Sequence, residues 1–330
     1  MLFGASSFLG GKDMALFLCE TDIARLLPMT DALDVVEQIF RSQGQGGVVN
    51  RPRSRVRLPD GTLHVMSAGV PDLGVLGLKA YTTFKGGARF LVLLYSAETG
   101  HLLAIMEADR LGQIRTGAAS GVATKFMARM GARTVGVIGS GWQARSQLTA
   151  VCRVRTIDRV TVYSRTPEHR QHYCEEMAAE LSLPVIPVES AAEAARDMDI
   201  VITITSAREP VLKGAWLSPG AHVNAAGSNA LNRCEIDDEV VRRAALIVVD
   251  SKEQAQVECG DLLGPIERGL IHWDQVNELG DIVAGSIPGR RTDDEITLFE
   301  SQGVAMEDIA VAARVYERAI EEGVGEELPL

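Results

Sequence analysis

The chain has 330 residues, 46% of them hydrophobic and 23% charged, which is more than one domain usually holds and enough for two cores of an ordinary globular protein. A net charge of −11 with no basic run or aromatic-plus-basic patch excludes a nucleic-acid surface. No stretch reaches the roughly 20 apolar residues of a membrane span, and the five cysteines are scattered and never in C-x-x-C spacing, so neither a disulfide framework nor a zinc site is indicated.

A reducing, cytoplasmic setting is therefore expected. Of the six histidines only His169 and His172 share a helical spacing, in a charged stretch that reads as solvated, and no metal is expected. Residues 1–13 lack the basic n-region and apolar core of a signal peptide. The regular pattern begins at Met14, so they read as a leader or as sequence ahead of the true start.

Thr30 is placed to cap a helix running to Gln43, with Leu33, Val36, Ile39 and Phe40 on one face and a glycine-rich stop behind it. Short strand-like segments follow at 54–58, 62–67, 77–83, 90–96 and 102–107, with turns at Pro59-Asp60-Gly61, Lys85-Gly86-Gly87 and Glu98-Thr99-Gly100. That cadence predicts a meander or half-barrel. Next comes a helix from Ile114 to Met130, with Val122, Phe126 and Met130 towards a core. Many small residues lie opposite, admitting either another helix or a cofactor.

At Thr134 the rhythm changes to alternating strands and helices. Strands are expected at 134–138, 160–164, 185–188, 199–205, 221–226 and 245–250, with helices over Pro167–Leu181 and Ser190–Arg196. Such alternation means a parallel sheet wrapped by helices. Its first strand runs into Gly139-Ser140-Gly141-Trp142-Gln143-Ala144, a G-x-G-x-x-A dinucleotide fingerprint. Gly139 permits the turn, Gly141 admits the pyrophosphate to the backbone, and Ala144 lets the helix pack on the strand. Residues 251–303 read as short helices mixed with glycines. The last helix spans Met306–Glu322, buried through Ile309, Val311, Ala312, Val315 and Ile320.

An acid at the end of the second strand normally binds the ribose 2′-OH of NAD. Here Ser164-Arg165-Thr166 stand there instead, chemistry suited to a 2′-phosphate. NADP(H) is the preferred cofactor, with NAD(H) the other possibility.

Three cations stand out in the first half. Arg53 lies in an alternating basic strand that puts residues 53, 55 and 57 on one face, and Arg115 opens the small-residue helix. Lys79 sits among apolar neighbours, either as an edge residue reaching solvent or as a functional amine. Burial near Arg53 and Arg115 would lower its pKa into the range of acid/base work, and the two arginines would grip a substrate carboxylate.

The run Leu111–Ser120 (LGQIRTGAAS), the Gly139–Ala144 turn and Pro219–Gly227 (PGAHVNAAG), in this order, resemble the ornithine cyclodeaminase/mu-crystallin family across nearly the whole chain. The resemblance implies an α/β fold: a Rossmann-type doubly wound parallel sheet over residues 131–303, plus a mixed α/β substrate and dimerisation domain over 1–130. The C-terminal helix, within 304–330, would pack back on the latter. It implies that Arg53 binds a carboxylate, that Lys79 is the active-site lysine, and that Arg115 and Thr116 stand beside substrate and cofactor. Gly139, Gly141, Trp142 and Gln143 would form the pyrophosphate turn. Val223, Asn224, Ala225 and Ala226 would form the nicotinamide-side strand, and Ser301 a further cofactor contact.

One departure stands out. Cyclodeaminases carry an aspartate where this chain has Asn229, and an amide cannot take up the charge of a carboxylate beside the amine that is lost. The resemblance therefore points to an NAD(P)-dependent amino acid dehydrogenase or imine reductase acting on the α C–N bond, as a homodimer. Ornithine cyclodeamination and non-catalytic ligand binding are the alternatives.

Overall fold

The computed structural model describes residues 14–329, so the leader reading of residues 1–13 lies outside the described residues. The chain opens with β1 (Met14–Leu18), α1 (Glu20–Leu26) and α2 (Met29–Gly44). A run of strands follows: β2 (Val49–Leu58), β3 (Gly61–Val70), β4 (Val75–Phe84), β5 (Gly87–Ser96) and β6 (Leu102–Glu107), and then α3 (Asp109–Met127). Strand and helix next alternate through β7 (Thr134–Ile138), α4 (Trp142–Val154), β8 (Arg159–Tyr163), α5 (Pro167–Leu181), β9 (Val185–Pro187), α6 (Ala191–Ala195), β10 (Ile200–Thr203) and β11 (His222–Ala225). The last part holds α7 (Asp238–Arg243), β12 (Ala244–Val249), α8 (Lys252–Glu258), α9 (Gly260–Glu267), β13 (Val276–Glu278), α10 (Leu279–Ala284), β14 (Ile296–Glu300), α11 (Ala305–Glu322) and β15 (Glu326–Pro329).

Two sheets form among the described residues. The expected meander is there: β2 to β6 pair antiparallel in sequence order, with β1 and β15 added beyond β6. Cross-strand partners share a face, and the row Met66, Lys79, Val92, Met106 carries a single charge into an apolar face. Helix α11 lies across that face and seals it. The second sheet is wholly parallel, in the order β13-β12-β14-β11-β10-β7-β8-β9. The chain leaves β7 for β8 and β9 on one side, then returns to β10 on the other. That reversal creates the switch point at the glycine turn.

Several expectations need correction. Helix α2 starts at Met29 with Pro28 at its N-cap, so Thr30 lies in the first turn and does not cap it. Helix α3 starts at Asp109, which puts Arg115 in its second turn rather than at its N-terminus. Met130 lies past the helix end and is 84% exposed. The small face of α3 receives a helix: a Cβ on Gly121 would stand 3.0 Å from the Ala150 Cβ of α4. Ile320, expected on the buried side of the last helix, is 57% exposed in its final turn. Residues 251–303 also hold two strands that the pattern did not suggest, one of them the fully buried β14. Its five residues, ITLFE, are too short to show a period and follow a loop rich in charge.

Among the described residues no helix is long and apolar enough to cross a membrane, and no group of three or more His, Cys, Asp or Glu is placed to hold a metal ion.

A side chain ties helix α4 to the end of α3. Arg155, at the end of α4, donates through Nη2 to the carbonyls of Thr124 (3.1 Å), Lys125 (3.0 Å) and Ala128 (3.0 Å) at the C-terminus of α3, where Thr124 also accepts from the Ala128 N–H. Replacing Arg155 with Ala takes this donor from the Lys125 and Ala128 carbonyls and is expected to cost about 3 kcal/mol, read as a lowered midpoint in urea denaturation.

Candidate functional site

The site begins with a lysine on the inner face of the meander. Lys79 is 3% exposed, and its Nζ donates to Asp308 Oδ1 at 2.9 Å. Asp308 arrives in the first turn of α11, where a carboxylate also complements the helix dipole. The same Oδ1 accepts from Arg115 Nε at 2.9 Å, and Arg115 Nη1 donates to Glu307 Oε2 at 2.8 Å. Strand β4, helix α3 and helix α11 therefore meet in one buried ion cluster.

Burial lowers the Lys79 pKa; Asp308 opposes the shift, Arg115 and Arg53 add to it, and the amine settles at about 8. Burial also opposes the charge of Arg115, but Asp308 and Glu307 outweigh it and hold the guanidinium above its ordinary value. Burial raises Glu307 to about 8 against the pull of Arg115. One amine near neutrality between two permanent cations is an acid/base arrangement.

Arg53 sits on the far side of this cluster and is more committed than the sequence suggested. Its Nε meets Met66 Sδ at 3.3 Å, Nη1 pairs with Glu258 of α8, and Nη2 donates to the carbonyls of Gln302 and Gly303, each at 3.0 Å. Arg55 pairs with the same Glu258 and reaches the Asn229 carbonyl at 3.2 Å. Of the two arginines expected to grip a carboxylate, Arg115 keeps its Nη2 end out of these ion pairs, whereas Arg53 is largely spent on the protein itself.

A cavity of about 200 Å³ lies between these groups, lined by Arg53, Lys79 and Arg115, by Met66, Tyr81 and Phe90, and by Thr116, Gln143, Ala226, Asn229 and Ser301. Tyr81 stacks on Phe90 with ring centroids 5.0 Å apart, giving the cavity an aromatic wall. The cavity adjoins a cleft of about 1020 Å³ along the parallel sheet; Gln143, Ala226 and Asn229 border both. That volume stands at the upper end of ligand pockets, roughly 300–1,000 Å³.

The cleft fits a dinucleotide. Gly139 has φ +118°, a left-handed conformation, and a Cβ there would press on the Ile204 carbonyl. A Cβ on Gly141 would meet nothing within 4 Å, so the backbone faces open space. Helix α4 starts there with no capping side chain and no acid in its first turn, leaving its N–H groups for an anion. Trp142 is 44% exposed along the cleft, while the Gln113 amide fixes its carbonyl at 2.5 Å. At the far end stand Tyr163, Ser164, Arg165, Thr166 and His169, faced by Arg208 from the loop after β10.

The remaining sequence candidates divide. Ser301 lines the smaller cavity, and its Oγ has no partner within the protein. Asn229 borders both cavities, with its Oδ1 accepting from Arg233 at 3.0 Å. Ala144 is buried on the inner side of α4, and Val223 and Ala225 are buried in the sheet core. Asn224 turns inward to Thr124 Oγ1 (2.9 Å) and His222 (3.2 Å), so of that strand segment only Ala226 lines the cleft. The sequence reading missed Asp308, Glu307 and Glu258. The available signal was Glu307-Asp308 opening an apolar helix, which reads equally well as a helix-dipole partner.

The ornithine cyclodeaminase/mu-crystallin family matches residues 13–323. A Δ1-pyrroline-2-carboxylate reductase of Bacillus cereus is 40% identical over 275 residues, covering 81% of this chain and 84% of that protein. The structure of Thermococcus litoralis Δ1-pyrroline-2-carboxylate reductase in complex with NADH and L-proline superposes with a TM-score of 0.91 at 38% identity, covering 95% of this chain and 100% of that one. An archaeal alanine dehydrogenase dimer with bound NAD gives 0.90 at 33% identity, over 96% and 99% of the two chains. This chain belongs to the ornithine cyclodeaminase/mu-crystallin family.

The closeness of α3 to β4 is itself testable: a Cβ on Gly112 would stand 2.6 Å from Lys79 Nζ. Gly112→Ala is expected to push the amine off Asp308 and cut turnover about 100-fold, with an overpacking cost of about 1–3 kcal/mol. Steady-state rates and urea denaturation measure the two effects.

Proposed function

We propose that the chain is an NADP(H)-preferring oxidoreductase acting at the α C–N bond of an amino acid or cyclic imino acid. The carrying observation is the buried Lys79–Asp308 pair in a small cavity that opens on a dinucleotide-sized cleft. Δ1-Pyrroline-2-carboxylate is the substrate we favour: a small ring bearing a carboxylate suits about 200 Å³ with cations on one side and Met66, Tyr81 and Phe90 on the other.

When bound, the nicotinamide supplies or accepts the hydride at the α-carbon. The turn at Gly139–Gln143 would hold the pyrophosphate, and the Ala226–Asn229 end the nicotinamide. Arg115 Nη2 carries most of the substrate carboxylate, with Arg53 as the wall behind it. Lys79 Nζ delivers the proton at the ring nitrogen in reduction and takes it back in oxidation. Asp308 keeps the amine in place and favours its protonated form. The aromatic wall and α11 exclude water from the reacting atoms.

Supporting NADP(H) are Ser164, Arg165 and Thr166 at the end of β8, where no carboxylate stands to receive a 2′-OH. We also read the outer face of the meander, with Val56, Leu63, Leu76 and Leu91 exposed, as the surface on which a second copy packs. The dimeric state of the archaeal relative supports that reading.

Purified protein is expected to oxidise NADPH with Δ1-pyrroline-2-carboxylate, ahead of Δ1-piperideine-2-carboxylate and of pyruvate with ammonia. Absence of cofactor oxidation across that panel, or ammonia release from ornithine without net cofactor turnover, sinks the proposal. Arg165→Ala should lower the NADPH-to-NADH preference about tenfold.

The pH profile supplies a further check. Reduction needs protonated Lys79, so kcat/KM should fall as pH rises through about 8. Asp308 raises that pKa, so Asp308→Asn should move the fall to lower pH. The double variant Leu76→Glu, Leu91→Glu should sediment as a monomer where the wild type sediments as a dimer.

A further inference from the structure

Glu235 lies outside both cavities and is 0% exposed. Its carboxylate nevertheless gathers one donor from each of the two loops that line the cleft and a third from the end of β10. Oε1 accepts from the Thr205 N–H at 2.5 Å, in the loop after β10. Oε2 accepts from the Gly227 N–H at 2.7 Å, in the loop after β11, and from Thr203 Oγ1 at 3.0 Å. The loops are in close contact at this point, since a Cβ on Gly227 would stand 2.6 Å from the Thr205 nitrogen. Glu235 is itself anchored from behind: Asp261 of α9 accepts from the Glu235 and Ile236 N–H groups at 2.7 and 3.1 Å.

Thr205, Ala226, Gly227 and Asn229 line the large cleft, and Ala226 and Asn229 also border the Lys79 cavity. The pyrophosphate turn separates this end from the Ser164–Thr166 end. We propose that Glu235 is a positioning residue for the nicotinamide half of the cofactor: it ties the two loops together and fixes the mouth through which that half faces Lys79. The inference rests on the dinucleotide reading of the cleft.

Chemistry supplies a near-isosteric test. A glutamine at 235 has one acceptor end and one donor end. Whichever way it turns, an NH₂ group points at a backbone N–H, of either Thr205 or Gly227, and one loop tie is lost. The adenine end, held by other residues, keeps its geometry.

Equilibrium titration of wild type, Glu235→Gln and Thr203→Val with NADPH and with adenosine 2′,5′-bisphosphate, NADH and ADP being run in parallel, decides the matter. Glu235→Gln should bind NADPH about tenfold or more weakly, with the adenine-half ligand unchanged. Thr203→Val removes one donor and leaves both backbone ties, so a few-fold loss in the same direction is expected, including in a background where Glu235→Gln fails to fold. Unchanged NADPH affinity in both variants overturns the inference, as does an equal loss for whole cofactor and fragment, which marks general loosening. A wild type that binds neither NADPH nor NADH overturns instead the dinucleotide reading on which the inference rests.

Discussion

One carboxylate oxygen organises the site: Asp308 Oδ1 accepts from both Lys79 Nζ and Arg115 Nε, each at 2.9 Å. Burying an ammonium and a guanidinium costs several kcal/mol apiece, and ion pairing commonly does no better than break even against apolar packing. Such a cluster is therefore a poor way to stabilise a core. It does hold a titratable amine dry, pointed and close to neutrality, and three remote stretches of chain must fold together to make it. The cost in stability and the chemical use have the same cause.

The two sheets contribute different things to this arrangement. In the meander, period-2 geometry sends Lys79 inward and leaves Leu76 and Ala80 on the other face, so one sheet carries the reactive amine on its inside and an apolar surface outside. In the parallel sheet, the reversal of strand order at β7 opens a crevice at the strand ends. Helix α3 belongs to both, because its glycines admit α4 on one side and Lys79 on the other. Small residues at 112, 117 and 121 thus help place the large cleft and the Lys79 cavity side by side.

Much of the fold was legible because its signals are local. Glycine turns, the strand–helix alternation after Thr134 and the helix Pro167–Leu181 each follow from neighbours in sequence. The short strand β14 was not legible, since five buried residues show no period and only tertiary pairing with β11 and β12 defines them. The site divides the same way. Lys79 and Arg115 announce themselves as charges in apolar or small-residue settings, and Arg53 by its place in an alternating basic strand. Their partners Asp308, Glu307 and Glu258 look like ordinary helix-terminus acids until the helices are docked. Glu235 was invisible for the same reason, because its value lies in which loops its oxygens reach.

The partners also change what the cations can do. A guanidinium has five N–H donors, and Arg53 gives four of them to Met66, Glu258, Gln302 and Gly303. Arg115 gives two, to Asp308 and Glu307. Two arginines that look equivalent in sequence are therefore unequal in the fold: Arg53 acts as a strut between β2, α8 and the loop before α11, and Arg115 retains donors for a ligand. A substrate carboxylate placed on Arg115 stands beside the same Asp308 that holds Lys79. On the proposed reading, recognition of the acid and proton transfer at the adjoining nitrogen would share one anchor, and displacing that anchor would disturb both together.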